Sequence, residues 1–116
     1  MADLAGIVAG LGSDELSLAL DTGHARISAD PATETVAAGG LLRTTHVHDN
    51  DGRQDTHLPP GYGTIDWAAW ARALDAVGYR GPIMLECIRR IRKDPAIIDS
   101  AFLELSALAA WDVYEG

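Results

Sequence analysis

Residues 41–52, LLRTTHVHDNDG, decide the fold: an apolar, β-branched run from Leu41 to Val47 gives way abruptly to His48-Asp49-Asn50-Asp51-Gly52. β-Branched residues favour strands, and clustered Asn, Asp and Gly favour a loop after them. The pattern recurs on both sides. Leu16–Leu20 (LSLAL) stops in Asp21-Thr22-Gly23-His24, and Pro82–Leu85 (PIML) stops in Glu86. Helical segments separate these runs. Residues 2–10 read as the end of a helix closed by Gly10 and Gly12, and residues 31–39 as a short helix with Asp30 as N-cap and Pro31 in its first turn. Asp66 caps a helix over residues 67–77, with Trp67, Trp70, Ala71, Leu74 and Val77 on one face and Gly78 as its stop. Asp94-Pro95 opens a last helix over residues 95–113, with an apolar stripe of Ile98, Phe102, Leu105, Leu108 and Ala109. Strands alternating with helices predict an α/β fold with a parallel sheet, because parallel neighbours need crossovers of this length. The strands are apolar throughout, as expected when both sheet faces are covered.

The 116 residues form a single domain, 1–116, and their 47% apolar and 22% charged content is that of a soluble globular protein. Aromatics are only 6%, so Ala, Leu, Ile and Val must build the core. A net charge of −8 argues against a nucleic-acid footprint and against binding to an anionic membrane surface. The single cysteine, Cys87, excludes an internal disulfide framework and fits a reducing compartment. No apolar run approaches a membrane span, and the N-terminus lacks the basic region of a signal peptide, so the expected location is the cytoplasm.

Each strand finishes in an ionisable residue: Asp21, His48 and Glu86. Ligands of α/β sheets and barrels bind at the carboxyl ends of strands. A carboxylate, an imidazole and a second carboxylate converging there would hold Mn²⁺, Mg²⁺, Co²⁺ or Zn²⁺. The plainer reading is that strand-end polar residues only cap loops. All four histidines fall between residues 24 and 57. His48, nearer the strand end, is the better ligand; His46, on the same side of its strand, is a supporting or buried residue. His24, three residues past Asp21, is placed to touch metal or substrate. Asp55 and His57 are a further ligand pair, or else a solvated loop.

Arg53 and the Arg89-Arg90-Ile91-Arg92-Lys93 cluster stand out in an acidic chain, and the cluster lies where it would hold a phosphate or carboxylate. The alternative is a solvated loop. Cys87 should point into packing and carries no chemistry. Trp67 and Trp70 read as core more than as a sugar-stacking platform, and Gly61-Tyr62-Gly63 lacks the strand context of a nucleotide-binding fingerprint.

The strings LALDTGHARI, THVHDNDGRQDTHLPPGYGTIDW and GPIMLEC resemble the sugar phosphate isomerase/epimerase family, the xylose-isomerase-like TIM-barrel group that also includes endonuclease IV. The resemblance runs over most of the chain. It implies a (β/α)₈ barrel with divalent metal at the carboxyl ends of its strands. It makes Asp21, His48 and Glu86 metal ligands, His24 a substrate or second-metal contact, and Asp55 and His57 the extra ligands of the endonuclease branch. Glu86 would also serve as acid/base, moving a proton at carbon beside a metal-bound carbonyl, with His24 and Arg53 holding substrate oxygens.

By this resemblance the chain covers the last three strands of the barrel. Asp21 to His48 is 27 residues and His48 to Glu86 is 38, so eight such units need about 250 residues. The family's remaining glutamate ligand and most of the substrate pocket would lie elsewhere. Three readings follow. The chain is part of a divalent-metal sugar or sugar-phosphate isomerase/epimerase, an endonuclease IV-like phosphodiesterase, or a non-catalytic metal-binding fragment whose open sheet edges drive homo-oligomerisation. Loops 49–63 and 87–94 are expected to set specificity.

Overall fold

A computed structural model describes residues 1–87, 89, 92–97, 99 and 113–115. It contains α1 (Ala2–Leu11), β1 (Leu18–Asp21), α2 (Thr22–Ser28), α3 (Pro31–Ala38), a 3-10 turn (Gly39–Leu41), β2 (Leu42–Val47), α4 (Trp67–Ala76), β3 (Ile83–Leu85) and β4 (Val113–Glu115). The strands form one sheet in the order β1-β2-β3-β4, and every pairing is parallel. Register aligns Asp21 with His46, Val47 with Leu85 and Leu85 with Glu115, so the carboxyl ends gather on one rim. The Glu86 amide donates to Val47 O at 2.9 Å and continues the ladder to that rim.

Local chemistry sets the helix ends. Gly12 closes α1 in the left-handed conformation, with φ 61°. The Asp30 carboxylate accepts from the Thr33 amide at 2.9 Å, with Pro31 at the helix start. Asp66 caps α4 through the Ala69 amide, also at 2.9 Å, and Gly78 (φ 69°) follows its end. The core lies between sheet and helices: Leu18, Leu20, Leu42, Val47, Ile83 and Leu85 pack with Trp67, Trp70 and Leu74 of α4. The two indoles meet edge to face at 5.4 Å, and Trp70 Nε1 donates to Thr35 Oγ1 at 3.1 Å. Both tryptophans are therefore core.

The sheet departs from the sequence reading in three places. Leu16 lies outside β1 and is exposed, while the strand runs on through Asp21. A fourth strand, Val113–Glu115, pairs with β3 and takes Val113, the last residue of the helix expected over residues 95–113. That helix does open where expected, with the Ala96 amide donating to Asp94 Oδ1 at 3.2 Å. Its expected stripe of Ile98, Phe102, Leu105, Leu108 and Ala109 lies outside the described residues. Among the described residues, no helix is long and apolar enough to cross a membrane.

Candidate metal centre at the strand ends

β1 hands its chain directly into α2, which makes Asp21 both the last strand residue and the helix N-cap. Its Oδ1 accepts from the His24 amide at 2.9 Å. Burial raises the pKa of the Asp21 carboxyl, but His48 beside it and the His24 amide outweigh that penalty and bring it from 3.8 down to about 2. Asp21 is thus held as a carboxylate, the form a cation needs.

His48 follows the end of β2 and is completely buried. Thr22 fixes its main chain, and Gly23 lies under its ring. A Cβ on Gly23 would fall 1.9 Å from His48 Cε1. The ring nitrogens face two carboxylates: Nε2 is 3.0 Å from Asp21 Oδ1, and Nδ1 is 3.6 Å from Asp55 Oδ1. Neither contact has hydrogen-bond geometry, so both nitrogens are buried without a hydrogen-bond partner. An unsatisfied buried polar group costs about 1–3 kcal/mol. A cation on one nitrogen would remove that penalty.

Ligand atoms of Asp21, His48 and Glu86 all lie within 4.8 Å of one another. Two carboxylates and an imidazole suit a borderline or hard divalent ion, and three ligands leave positions open for water or substrate. The residues at the strand ends therefore fit a divalent metal. Glu86 is half-buried, with Oε1 3.4 Å from His46 Nδ1. His46 is half-exposed beside that carboxylate, which gives it the supporting place and not the buried one.

The loop after β2 returns over the site. It is fastened by Asp49, which is fully buried. Asp49 Oδ1 accepts from the Thr64 and Ile65 amides at 3.0 and 3.1 Å, and Oδ2 accepts from Trp67 Nε1 at 2.9 Å. Main-chain bonds pair Asp49 with Leu58 in both directions, at 2.7 and 2.9 Å. Asn50 ties the loop to α2, donating from Nδ2 to Gly23 O at 2.9 Å. Gly61 and Gly63 serve this loop. The Gly61 amide donates to Asp49 Oδ2, and a Cβ on Gly63 would lie 2.2 Å from Asp49 Oδ1.

Held in this way, the loop lays His57 flat on His48, with centroids 3.8 Å apart and an interplanar angle of 4°. His57 adopts φ 49°, in the left-handed region, and its Nδ1 lies 2.6 Å from Glu86 O. Asp55 Oδ2 is 3.0 Å from His24 Nε2 and 3.4 Å from His57 Nε2. His48, Asp55 and His57 are thus a second group that could hold a cation, sharing His48 with the first.

None of the described Arg and Lys candidates belongs to these two groups. Arg53 is exposed, and its amide donates to Asp51 Oδ1 at 2.9 Å. Arg89, Arg92 and Lys93 are exposed, while Arg90 and Ile91 lie outside the described residues. Cys87 is buried, as expected. Sequence reasoning missed Thr22, Gly23, Asp49 and Asn50. The string HDND held the signal for the last two, since a buried loop needs side-chain acceptors for its amides.

A family model described as the xylose isomerase-like TIM barrel matches residues 1–105. The chain is 38% identical over 76 residues to the uncharacterized protein y4fM of Sinorhizobium fredii, covering 64% of this chain and 24% of that protein. It is 35% identical over 83 residues to the uncharacterized protein MJ1311 of Methanocaldococcus jannaschii, covering 69% of this chain and 28% of that one. It therefore spans about a quarter of the length of these curated relatives. Among solved structures, it is similar to a D-tagatose 3-epimerase-like protein, with a TM-score of 0.65 and 30% identity over 82% of this chain and 38% of that one.

Proposed function

The chain belongs to the xylose isomerase-like TIM barrel family, and from that premise we propose that it carries the strand-end metal site of a divalent-metal-dependent sugar or sugar-phosphate isomerase/epimerase. The observation that carries the reading is His48, buried with both ring nitrogens lacking a hydrogen-bond partner and with a ligand atom within 4.8 Å of those of Asp21 and Glu86. Asp21, His48 and Glu86 would hold Mn²⁺, Mg²⁺, Co²⁺ or Zn²⁺. When bound, such an ion supplies a Lewis acid that polarises a carbonyl and its neighbouring hydroxyl.

The residues around it do the rest. Glu86 takes the proton from the carbon beside the carbonyl. In isomerisation it delivers that proton to the former carbonyl carbon; in epimerisation a second acid on the opposite face, supplied from outside this chain, reprotonates the same carbon. His46 against Oε1 keeps the Glu86 carboxylate in place. His24, exposed at the mouth, donates to a substrate oxygen once it leaves Asp55. Arg53, on the same loop, holds a hydroxyl or phosphate oxygen. A single, buried cysteine fits a reducing, cytoplasmic setting. The test is deuterium incorporation from solvent into a panel of ketoses and ketose phosphates with Mn²⁺ or Co²⁺, read by NMR. Incorporation that Glu86→Gln abolishes supports the reading. No incorporation into any member of the panel sinks it.

One observation favours a second reading. The His48, Asp55 and His57 group would extend the site toward the multi-metal cluster of endonuclease IV, as a phosphodiesterase requires. The net charge of −8 opposes approach to a polyanion. Metal-dependent cleavage of abasic-site DNA, lost in His57→Ala, would promote this reading over the first.

A further inference from the structure

The His48 ring is enclosed from four directions. Gly23 lies against it, so close that a Cβ there would meet Cε1, and the His57 ring covers a face at 3.8 Å. Its edges look at carboxylates, Asp21 at Nε2 and Asp55 at Nδ1. Asp21 and Gly23 belong to β1 and α2. Asp55 and His57 both belong to the loop after β2, so that loop alone closes one face and one edge of the ring.

Residues 51–57 of the loop are held together by their own main chain. The Arg53 and Gln54 amides donate to Asp51 Oδ1, the Gly52 amide to Asn50 Oδ1 and the Thr56 amide to Gln54 O. Among the described residues, no main-chain hydrogen bond runs from this segment to α2 or to the sheet. The base is different. Asp49 and Leu58 exchange main-chain bonds, and Asn50 is tied to Gly23 O and to Thr64. The polar holds of residues 51–57 on the rest of the site are therefore side chains: Asp55 on His24 and His48, and His57 on Glu86 O. Two observations show that the closed arrangement is imposed on the segment. His57 is the one non-glycine residue with positive φ among the described residues. Thr56 Oγ1 is buried without a hydrogen-bond partner.

We propose that residues 51–57 are a flap, hinged at the Asp49–Leu58 pair and latched by Asp55, whose opening uncovers His48 and frees His24 together. Asp55 makes the coupling. Its Oδ1 faces His48 Nδ1 at 3.6 Å, and its Oδ2 lies 3.0 Å from His24 Nε2. Lifting one carboxylate thus opens the edge of one imidazole and releases the other. The same movement takes the His57 ring off His48 and lets residue 57 leave the left-handed region. It breaks no bond of the sheet, because Asp49 and Asn50 hold the base in place. The flap sets when His48 can be reached. What it admits rests on the metal reading above; the opening itself does not.

The test is labelling of the chain with diethyl pyrocarbonate at constant pH, without added metal, read residue by residue by tandem mass spectrometry. The side chains of His24, His46 and His57 are 66%, 40% and 40% exposed, and that of His48 is 0% exposed. His24, His46 and His57 should therefore react first. His48 should react more slowly, at a rate that stays level in urea below the unfolding transition, because a local opening exposes little surface. Asp55→Ala removes the latch and should raise that rate about tenfold or more, leaving His46 unchanged. His57→Gly, at home at positive φ and without the covering ring, is a second variant and should act in the same direction. Amide exchange in β1 and β2 should match wild type in both. His48 labelled only in step with global unfolding, labelled as fast as His24, or left at the wild-type rate by both variants would each overturn the proposal. Labelling needs no cation, so failure of the flap and failure of the metal site are distinguishable.

Discussion

Thr22 Oγ1 and the main chain of His48 are bonded in both directions: the hydroxyl accepts from His48 N at 3.0 Å and donates to His48 O at 2.8 Å. One side chain on the first turn of α2 therefore satisfies both backbone groups where the chain leaves β2. It locks the end of one strand to the start of the helix that follows its neighbour. His48 owes its position to this clasp and to the absence of a side chain at residue 23.

Thr22→Val keeps the shape but leaves the His48 amide and carbonyl buried without this partner. The expected loss is about 2–4 kcal/mol in urea unfolding, while Thr22→Ser should stay within about 1 kcal/mol of wild type. Displacement of the ring should also weaken Mn²⁺ binding about tenfold or more, by calorimetry. Unchanged affinity in Thr22→Val would mean that the clasp does not position a ligand.

Gly23→Ala sets two effects against each other. Alanine favours a helix over glycine by about 1 kcal/mol, which alone would stabilise α2. The new Cβ would fall 1.9 Å from His48 Cε1, so the ring must leave its place. Overpacking of this kind costs about 1–3 kcal/mol. The net result expected is a less stable protein without metal affinity. A gain in melting temperature with affinity intact would contradict the packing described.

Asp49→Asn removes the charge on which the Thr64, Ile65 and Trp67 donors converge and turns one acceptor oxygen into a donor. A stability loss of roughly 3 kcal/mol is expected, since bonds to charged groups are worth about 1.5–3 kcal/mol each. Hydrogen exchange should report the loss locally, with faster exchange at Gly61, Thr64 and Ile65 and little change in β1. Uniform acceleration through the sheet would mean that Asp49 supports the whole core and not the loop.

What the sequence makes legible here is local. The caps at Asp30 and Asp66, the Trp67–Leu74 face and the polar strand ends all depend on neighbours a few residues away, and all stand where their spacing puts them. The loop chemistry is not local. Asp49 meets Trp67 eighteen residues on, and His57 reaches back to stack on His48 only because that carboxylate folds the loop between them. No period in the string HDNDGRQDTH announces such contacts. β4 was hidden for a different reason: a helical stripe runs almost to Val113, and three residues are too few to set a period of their own. Leu16 shows the limit of composition, being apolar yet exposed, because hydrophobicity does not say which neighbour covers a residue.

Tyr79 gives the fold a pH dependence of known sign. Its hydroxyl donates to Pro82 O at 2.6 Å, beside Thr45, which donates to the same carbonyl at 2.9 Å. Burial pushes the phenol above its usual value of 10.0, outweighing the opposing bond with Thr45. A group whose pKa is raised by folding contributes stability that is fully present below its unfolded value and lost as pH climbs through the folded one. Wild type should therefore lose stability above about pH 10 more steeply than Tyr79→Phe, which has no proton to release there. At neutral pH the variant should be only about 1 kcal/mol weaker, because Thr45 still satisfies Pro82 O. Parallel stability curves for the two proteins from pH 9 to 11 would show that Tyr79 titrates as freely folded as unfolded.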